Sequence, residues 1–131
     1  MRTGILKRQR SEAIRDSYFN AVKIINNPSA QQDDIIKVAL SMEAPRFYTT
    51  YESAQRFVSL LERGKKLPIK NKRKVEIYKE IHRRYHELKT KYGISSYSIL
   101  EQIISSPAPS YYISHETFKY IFYKSYSLKC I

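Results

Sequence analysis

The sequence predicts an all-α protein, and three of its features lead to that prediction. Apolar residues recur at spacings of three and four over most of the chain, as on one face of an α-helix. The 131 residues include only 3 glycines and none of the Asn-Gly or Asp-Gly pairs that favour a β-hairpin. Two similar phrases, APRFYTTYESAQRFV at 44–58 and APSYYISHETFKYIF at 108–122, indicate an internal repeat.

The similarity extends upstream of the two phrases at almost the same offset. At an offset of 64, the apolar positions of residues 35–40 align with those of residues 99–104. At an offset of 63, the apolar positions of residues 14–22 align with those of residues 77–85. We therefore predict two tandem three-helix repeats. The expected division of the chain is a first repeat with a basic N-terminal arm at 1–63, a basic linker at 64–71, and a second repeat at 72–131.

Local signals predict the three helices of the first repeat. The first helix ends at an Asn-Asn-Pro sequence, and its apolar stripe consists of Ile14, Tyr18, Val22 and Ile25. A second helix is expected over residues 31–42, because Pro45 disfavours helical backbone at the residue before it. The third helix is expected to begin near Thr49 or Thr50, where Thr49 and Glu52 have the spacing of a capping box.

The second repeat opens with a long basic helix over residues 72–92. Its apolar stripe steps by three and four through Tyr78, Ile81, Tyr85, Leu88 and Tyr92. Gly93 is expected to end this helix, because glycine adopts the left-handed conformation of a helix C-terminus. Two further helices are predicted over residues 96–105 and 114–127. Ser114 has the residue type and position of an N-cap for the last helix.

Positive charge is the strongest indication of function. The chain has 24 Lys and Arg against 12 Asp and Glu, a formal net charge of +12. The excess is concentrated at residues 62–91, with twelve basic and four acidic side chains, and at residues 1–15, with five basic and one acidic. This balance suits a polyanionic partner. We predict a nucleic-acid-binding protein, regulatory or architectural, that binds double-stranded DNA mainly through phosphates.

The predicted phosphate contacts are thirteen cations of these two segments, and those of the long helix lie outside its apolar stripe. They are Arg2, Lys7, Arg8, Arg10, Lys65, Lys66, Lys70, Lys72, Arg73, Lys74, Lys79, Arg83 and Arg84. Lys79 and Arg83 are one helical turn apart, so the long helix should present a row of cations along one face. Such a row can follow a phosphate backbone without reading its sequence.

The stretch SSYSILEQIISSPAPSYYISHETFKYIFYK resembles the helix-turn-helix superfamily, in which a capped third helix enters the major groove. The resemblance implies base or groove contacts from Thr50, Tyr51, Ser53, Gln55 and Arg56 in the first repeat, and from Ser114, His115, Thr117 and Lys119 in the second. These helices are poor in Arg, Asn and Gln, which are the best donors to base edges, so phosphate contacts should dominate. The duplicated layout also resembles small basic proteins of bacterial phages and mobile elements.

Two other interpretations remain open at the level of sequence. Tyr48, Tyr51, Tyr111 and Tyr112 could stack single-stranded bases, although core packing is the simpler role for the Ala-Pro-aromatic phrases. In the second interpretation, the protein is a structural or adaptor protein, for example a phage-encoded one, whose basic face docks on an acidic protein.

The sequence predicts no enzymatic activity, metal or cofactor. His82 and His86 have metal-ligand spacing on a helix, but no third ligand is evident and their neighbours are cations. Cys130 is the only cysteine and belongs to no recognisable catalytic pattern. Because no stretch approaches the roughly 18 apolar residues of a membrane span, we expect no membrane contact. A cytoplasmic protein is expected, or a virion-associated one if it is phage-encoded.

Overall fold

The structure is a computed structural model that describes residues 3–94 and 97–129, and the side chains of residues 4–94 and 97–125. The described chain consists of α1 (Thr3–Ile25), α2 (Gln32–Leu40), α3 (Tyr51–Glu62), α4 (Lys72–Tyr92), a 3₁₀ turn (Tyr97–Ile99), α5 (Leu100–Ile104) and α6 (His115–Lys129). It contains no β-strand, which confirms the all-α prediction. Arg2 and Cys130, which the sequence analysis singled out, lie outside the described residues.

Most helix ends form where the sequence predicts them. Gly93 ends α4 in the left-handed conformation, with φ of 69°. At the start of α6, the Thr117 amide donates to Ser114 Oγ at 3.1 Å. The capping-box prediction at α3 was wrong by one residue, because the Ser53 amide donates to Thr50 Oγ1 at 3.2 Å. The Thr49 hydroxyl instead forms a buried hydrogen bond of 2.8 Å with the Tyr78 hydroxyl.

The N-terminal basic segment is helical in the structure. The sequence predicted a basic N-terminal arm here, but α1 begins at Thr3 and continues without a break to Ile25. Leu6 explains this extension, because it lies two helical turns before Ile14 on the same face, and both side chains are buried. Lys7, Arg8 and Arg10 are therefore held on the first turns of a rigid helix.

The six helices pack as two clusters, and each cluster takes helices from both sides of residues 64–71. α6 packs against α1 and α2, whereas α3 packs against α4 and α5. Each cluster thus combines the first two helices of one predicted repeat with the third helix of the other. The consecutive helices α5 and α6 form no comparable contact within the described residues. The repeat and its domain boundaries stay predictions, but the helices on either side of 64–71 share their cores.

The two copies of the repeated phrase meet between the clusters. Ala44 and Ala108 form an isolated antiparallel bridge, in which each amide donates to the other residue's carbonyl at 2.9 Å. Next to it, the ring of Phe47 stacks on that of Tyr112, with centroids 6.3 Å apart. The ring of Tyr48 stacks on that of Tyr111 at 6.2 Å. At the offset of 64, Phe47 corresponds to Tyr111 and Tyr48 corresponds to Tyr112. The correspondence therefore converts one stack into the other, which is the contact pattern of a two-fold axis.

This junction is part of the hydrophobic core. Ala44, Ala108, Phe47 and Tyr111 are all buried, which supports a core role for the repeated phrase. Two positions of the predicted stripes are wrong: Val22 is 40% exposed and Tyr92 is 69% exposed. On α1, the buried face instead runs through Ile14, Ser17 and Ala21. No helix in the part of the chain that is described combines the length and the apolar character needed to cross a membrane.

Candidate nucleic-acid interface

A cavity of about 240 Å³ lies at the junction of the two phrases and is lined by four basic side chains. These are Arg10 from α1, Arg46 from the first phrase, and Arg73 and Lys74 from the first turn of α4. No aspartate or glutamate is among the described residues that line it. Hydroxyl, amide, aromatic and aliphatic groups complete the wall: Phe47, Tyr48, Asn71, Ile77, Ser110, Tyr111, Tyr112, Ile113, Ser114 and Thr117. We call this site the basic cavity.

The N-terminus of α4 adds to the positive potential of the basic cavity. Asn71 caps this helix, and its Oδ1 accepts from the amides of Arg73 at 2.9 Å and Lys74 at 3.3 Å. The first turn contains no acidic residue, and three cations, Lys72, Arg73 and Lys74, occupy it instead. Because the helix dipole is positive at this end, each of these charges opposes helix stability. An anion in the basic cavity would relieve that repulsion.

Arg10 is the most constrained cation in the basic cavity. Its Nε is buried, and no described residue accepts a hydrogen bond from it. Burial lowers the pKa of the Arg10 guanidinium, and the neighbouring Tyr48 hydroxyl partly offsets that shift. Burial raises the pKa of Tyr48 to about 12, and the neighbouring Tyr111 hydroxyl makes a smaller contribution in the same direction. At neutral pH, the cavity therefore contains a charged guanidinium with an unused donor beside a neutral phenol that can also donate.

Corresponding residues of the two predicted repeats line the basic cavity together. Arg10 and Arg73 are related by the offset of 63 that relates α1 to α4. The offset of 64 relates Arg46 to Ser110, and Tyr48 to Tyr112. The cavity thus lies where the two-fold contact pattern of the aromatic stacks has its centre.

The second half of α4 differs from its first turn, because its cations are paired within the chain. Arg83 binds Glu80 at 2.7 Å and Glu87 at 3.3 Å. The hydrogen bond from Arg83 lowers the pKa of the Glu80 carboxyl below its ordinary value. Burial opposes this shift, and the hydrogen bond from Arg84 adds to it. Lys91 also pairs with Glu87, at 3.5 Å.

Arg84 is tied to the fold on several sides. Its Nε donates to Glu80 at 2.9 Å. Its Nη1 donates to Ser106 Oγ at 3.1 Å and to the Pro107 carbonyl at 3.0 Å. The guanidinium also lies 4.9 Å from the centre of the Phe47 ring. These contacts give Arg84 a structural role between α4 and the turn after α5, and leave it poorly placed to bind phosphate.

The other predicted phosphate contacts are exposed. None of them forms an ion pair with a carboxylate of the described residues. They are Lys7, Arg8, Lys65, Lys66, Lys70, Lys72 and Lys79. Lys70 and Lys72 flank the Asn71 cap, next to the basic cavity, whereas Lys79 lies further along α4. The free cations of α4 are therefore concentrated at its N-terminal end.

The predicted groove contacts fall into two separate places. Gln55 and Arg56 line a shallow surface depression on α3, next to Glu52 and Arg63. The other predicted residues of α3 are Thr50, which is the cap, and the partly buried Tyr51 and Ser53. On the α6 side, Ser114 and Thr117 line the basic cavity, His115 Nε2 lies 3.6 Å from Asp33 Oδ1, and Lys119 is partly exposed. Only the α6 set adjoins the four cations.

The sequence analysis did not include Arg46 among the phosphate contacts. Arg46 lies in a segment whose net charge is close to zero, so the distribution of charge along the chain does not single it out. The available signal was its position inside the repeated phrase, directly before the two aromatic residues that meet the other copy. Its Nε donates to the Phe47 carbonyl at 3.0 Å, which holds the side chain at the cavity wall.

Searches against protein-family models, curated protein sequences and solved structures found no match for the chain.

Proposed function

We propose that the protein is a non-catalytic nucleic-acid-binding protein that binds double-stranded DNA through its phosphates. The observation that carries this proposal is the basic cavity, in which Arg10, Arg73 and Lys74 converge and no described aspartate or glutamate lines the wall. Like charges that lie close together repel one another, so the arrangement costs stability unless an anion binds. A net charge of +12 would also draw a polyanion to this surface.

In the proposed mechanism, one phosphate group enters the basic cavity. The guanidinium groups of Arg10 and Arg73 can each donate two parallel hydrogen bonds to phosphate oxygens. The neutral Tyr48 hydroxyl donates a further hydrogen bond. The volume of about 240 Å³ lies below the about 300–1,000 Å³ of typical small-molecule sites. This space suits a phosphate and part of its sugar rather than a whole base pair.

The exposed lysines beside the cavity would contact the neighbouring phosphates. Lys70 and Lys72 lie on either side of the Asn71 cap, and Lys65 and Lys66 precede them on the connection between α3 and α4. Contacts of this kind depend on charge rather than base sequence. The helix-turn-helix resemblance adds the further proposal that Ser114 and Thr117, at the start of α6, reach the edge of a groove.

The test is the salt dependence of binding to a labelled duplex, measured by fluorescence anisotropy. Arg73→Ala with Lys74→Ala removes two cations of the basic cavity. Lys23→Ala with Lys91→Ala is the matched control, because it removes the same charge from the C-terminal ends of α1 and α4. Each phosphate contact contributes about −0.9 to the slope of log K against log salt concentration. We expect the slope to fall in magnitude by about 1 to 2 for the first pair only.

Equal losses in the two double variants would contradict this proposal, because net charge alone would then explain binding. Parallel titrations with single-stranded DNA and RNA identify the preferred polyanion. Duplex is expected to bind most tightly. A strong preference for single strands would favour base stacking on the exposed faces of Tyr48 and Tyr112 instead.

A second candidate, an adaptor that binds an acidic protein, is favoured by a cleft between α1 and α6. The cleft has a volume of about 720 Å³. Its wall includes Tyr120 and Ile121, five cations and one carboxylate, Glu12, and one of the cations, Arg10, also lines the basic cavity. The Nη1 of Arg15 is buried there without a hydrogen-bond partner among the described residues. An acidic segment with apolar side chains would match this surface. Purification with nuclease discriminates, since a stable protein complex that survives digestion and lacks nucleic acid supports the adaptor.

A further inference from the structure

Two helices bring three potential metal ligands together on the side of α4 that carries its histidines. His82 and His86 are one turn apart on α4, and Glu62 is the last residue of α3. Glu62 Oε2 lies 3.2 Å from His82 Nε2 and 3.9 Å from His86 Nδ1. One ligand atom from each residue lies within 4.8 Å of the other two. A third ligand for this pair of histidines is not evident in the sequence, because Glu62 is twenty residues before His82 and only the packing of α3 on α4 brings it close.

The spacing matches the coordination shell of zinc. With Zn–N and Zn–O bonds of about 2.0–2.2 Å, two ligands of a tetrahedral ion are about 3.3 Å apart. The separations of 3.2 and 3.9 Å are close to that value, and the third pair of ligand atoms lies within 4.8 Å, so small movements of the side chains would bring all three to bonding distance. Two imidazoles and one carboxylate form a ligand set that suits zinc and similar divalent transition ions. Calcium and magnesium prefer shells of oxygen ligands and fit this set poorly.

Lys89 is the group that a metal ion would displace. Its Nζ lies 3.1 Å from Glu62 Oε1, and its side chain is about half exposed. The Glu62 carboxylate is partly buried, and its hydrogen bond with His82 holds it towards the two imidazoles. The flexible lysine can turn into solvent while the other Glu62 oxygen binds the ion.

We propose that Glu62, His82 and His86 bind one Zn²⁺ ion, with water as the fourth ligand. The ion would connect the C-terminal end of α3 to the middle of α4, within the cluster that α3, α4 and α5 form. Because α3 and α4 belong to different predicted repeats, this bond would reinforce the exchanged packing of the third helices. The proposal is independent of nucleic-acid binding, since the basic cavity shares no residue with these ligands.

The experiment uses the full chain without a histidine tag, stripped with a chelator and titrated with Zn²⁺ in competition with a chromophoric chelator. His86→Gln is the main variant, because this side chain is 61% exposed and its replacement should not disturb the core. His115→Gln is the matched control, because His115 also lies near a carboxylate, Asp33, but forms no cluster of three ligands in the described chain. Circular dichroism verifies that both variants fold.

The expected result for the natural chain is saturable binding of one Zn²⁺ per chain, with a rise in the melting temperature. His86→Gln should weaken the affinity by about tenfold or more, as should Glu62→Gln, while His115→Gln should leave it unchanged. Co²⁺ in the same site should give the visible absorption bands of a four- or five-coordinate ion. Equal affinity of the natural chain and His86→Gln would overturn the proposal, as would the absence of one-to-one saturation.

Discussion

Replacement of Arg10 by methionine should raise stability and lower affinity for DNA at the same time. Arg10 Nε is a buried donor without a partner among the described residues. A buried unsatisfied donor costs about 1–3 kcal/mol. Methionine keeps most of the aliphatic stem and removes both the donor and a charge that faces other cations. We expect the free energy of unfolding to rise by about 1 kcal/mol, or roughly 3–5 °C in melting temperature for a chain of this size.

The same change should weaken binding of duplex DNA by about tenfold, because a charge-assisted hydrogen bond contributes about 1.5–3 kcal/mol. Urea unfolding followed by circular dichroism gives the first quantity, and fluorescence anisotropy with a labelled duplex gives the second. Lys23→Met is the matched control. It removes one exposed cation from the same helix, about 20 Å away along α1 at 1.5 Å per residue. The control should leave stability within about 0.5 kcal/mol of the natural chain.

Two outcomes would refute this reasoning. A destabilised Arg10→Met protein with unchanged affinity would assign Arg10 to the fold, as a packed stem rather than an anion-binding group. A loss of affinity that Lys23→Met reproduces in full would mean that net charge, not the basic cavity, determines binding. A gain in stability together with a loss of affinity specific to Arg10 is the result that the proposal predicts. In that case the Arg10 charge destabilises the fold and is retained because it binds a ligand.

Two further predictions test the assignments around the junction. Arg84→Ala should lower the free energy of unfolding by about 1–3 kcal/mol, because the bonds to Glu80, Ser106 and the Pro107 carbonyl are lost. It should leave the salt slope of DNA binding unchanged. A flatter slope would show that Arg84 belongs to the interface. Burial raises the pKa of Tyr48 from 10.0 to about 12, so between these values the folded chain keeps a proton that the unfolded chain has released. Stability should therefore fall as pH rises through this window. Urea unfolding at a series of pH values measures this fall, which should be smaller in Tyr48→Phe. An identical pH dependence of stability in the variant would contradict the raised pKa.

The local structure of this protein was largely predictable, because its signals are local. The bounds of α4 follow from its stripe and from Gly93, and the start of α6 follows from Ser114 as a cap. The extension of α1 to Thr3 was not predicted, because Leu6 is a single apolar position among many charged residues and is a weak signal for a buried helix face. Thr49 was misassigned because its sequence spacing suits a cap, while the partner it actually binds, Tyr78, comes from a different helix.

The candidate sites were less predictable, because long-range packing creates them. Nothing in the order of residues says that α6 joins α1 and α2 rather than α5, so the meeting of Arg10 with Arg73 could not be foreseen. The same packing brings Glu62 to His82 and His86. The cations of the long helix were predicted as one row, but their carboxylate neighbours divide them into a free N-terminal group and a paired C-terminal group.

The most direct test of the central idea is an NMR titration of ¹⁵N-labelled protein with a short DNA duplex. The Nε–H signal of the Arg10 side chain and the amide signals of residues 71–74 and 110–114 report on the walls of the basic cavity. We predict that these signals shift first and most, and that the Arg10 Nε–H signal sharpens as it gains an acceptor. Shifts confined to the cleft between α1 and α6 or to α3, with the amide signals of residues 71–74 and 110–114 unmoved, would contradict phosphate binding in the basic cavity.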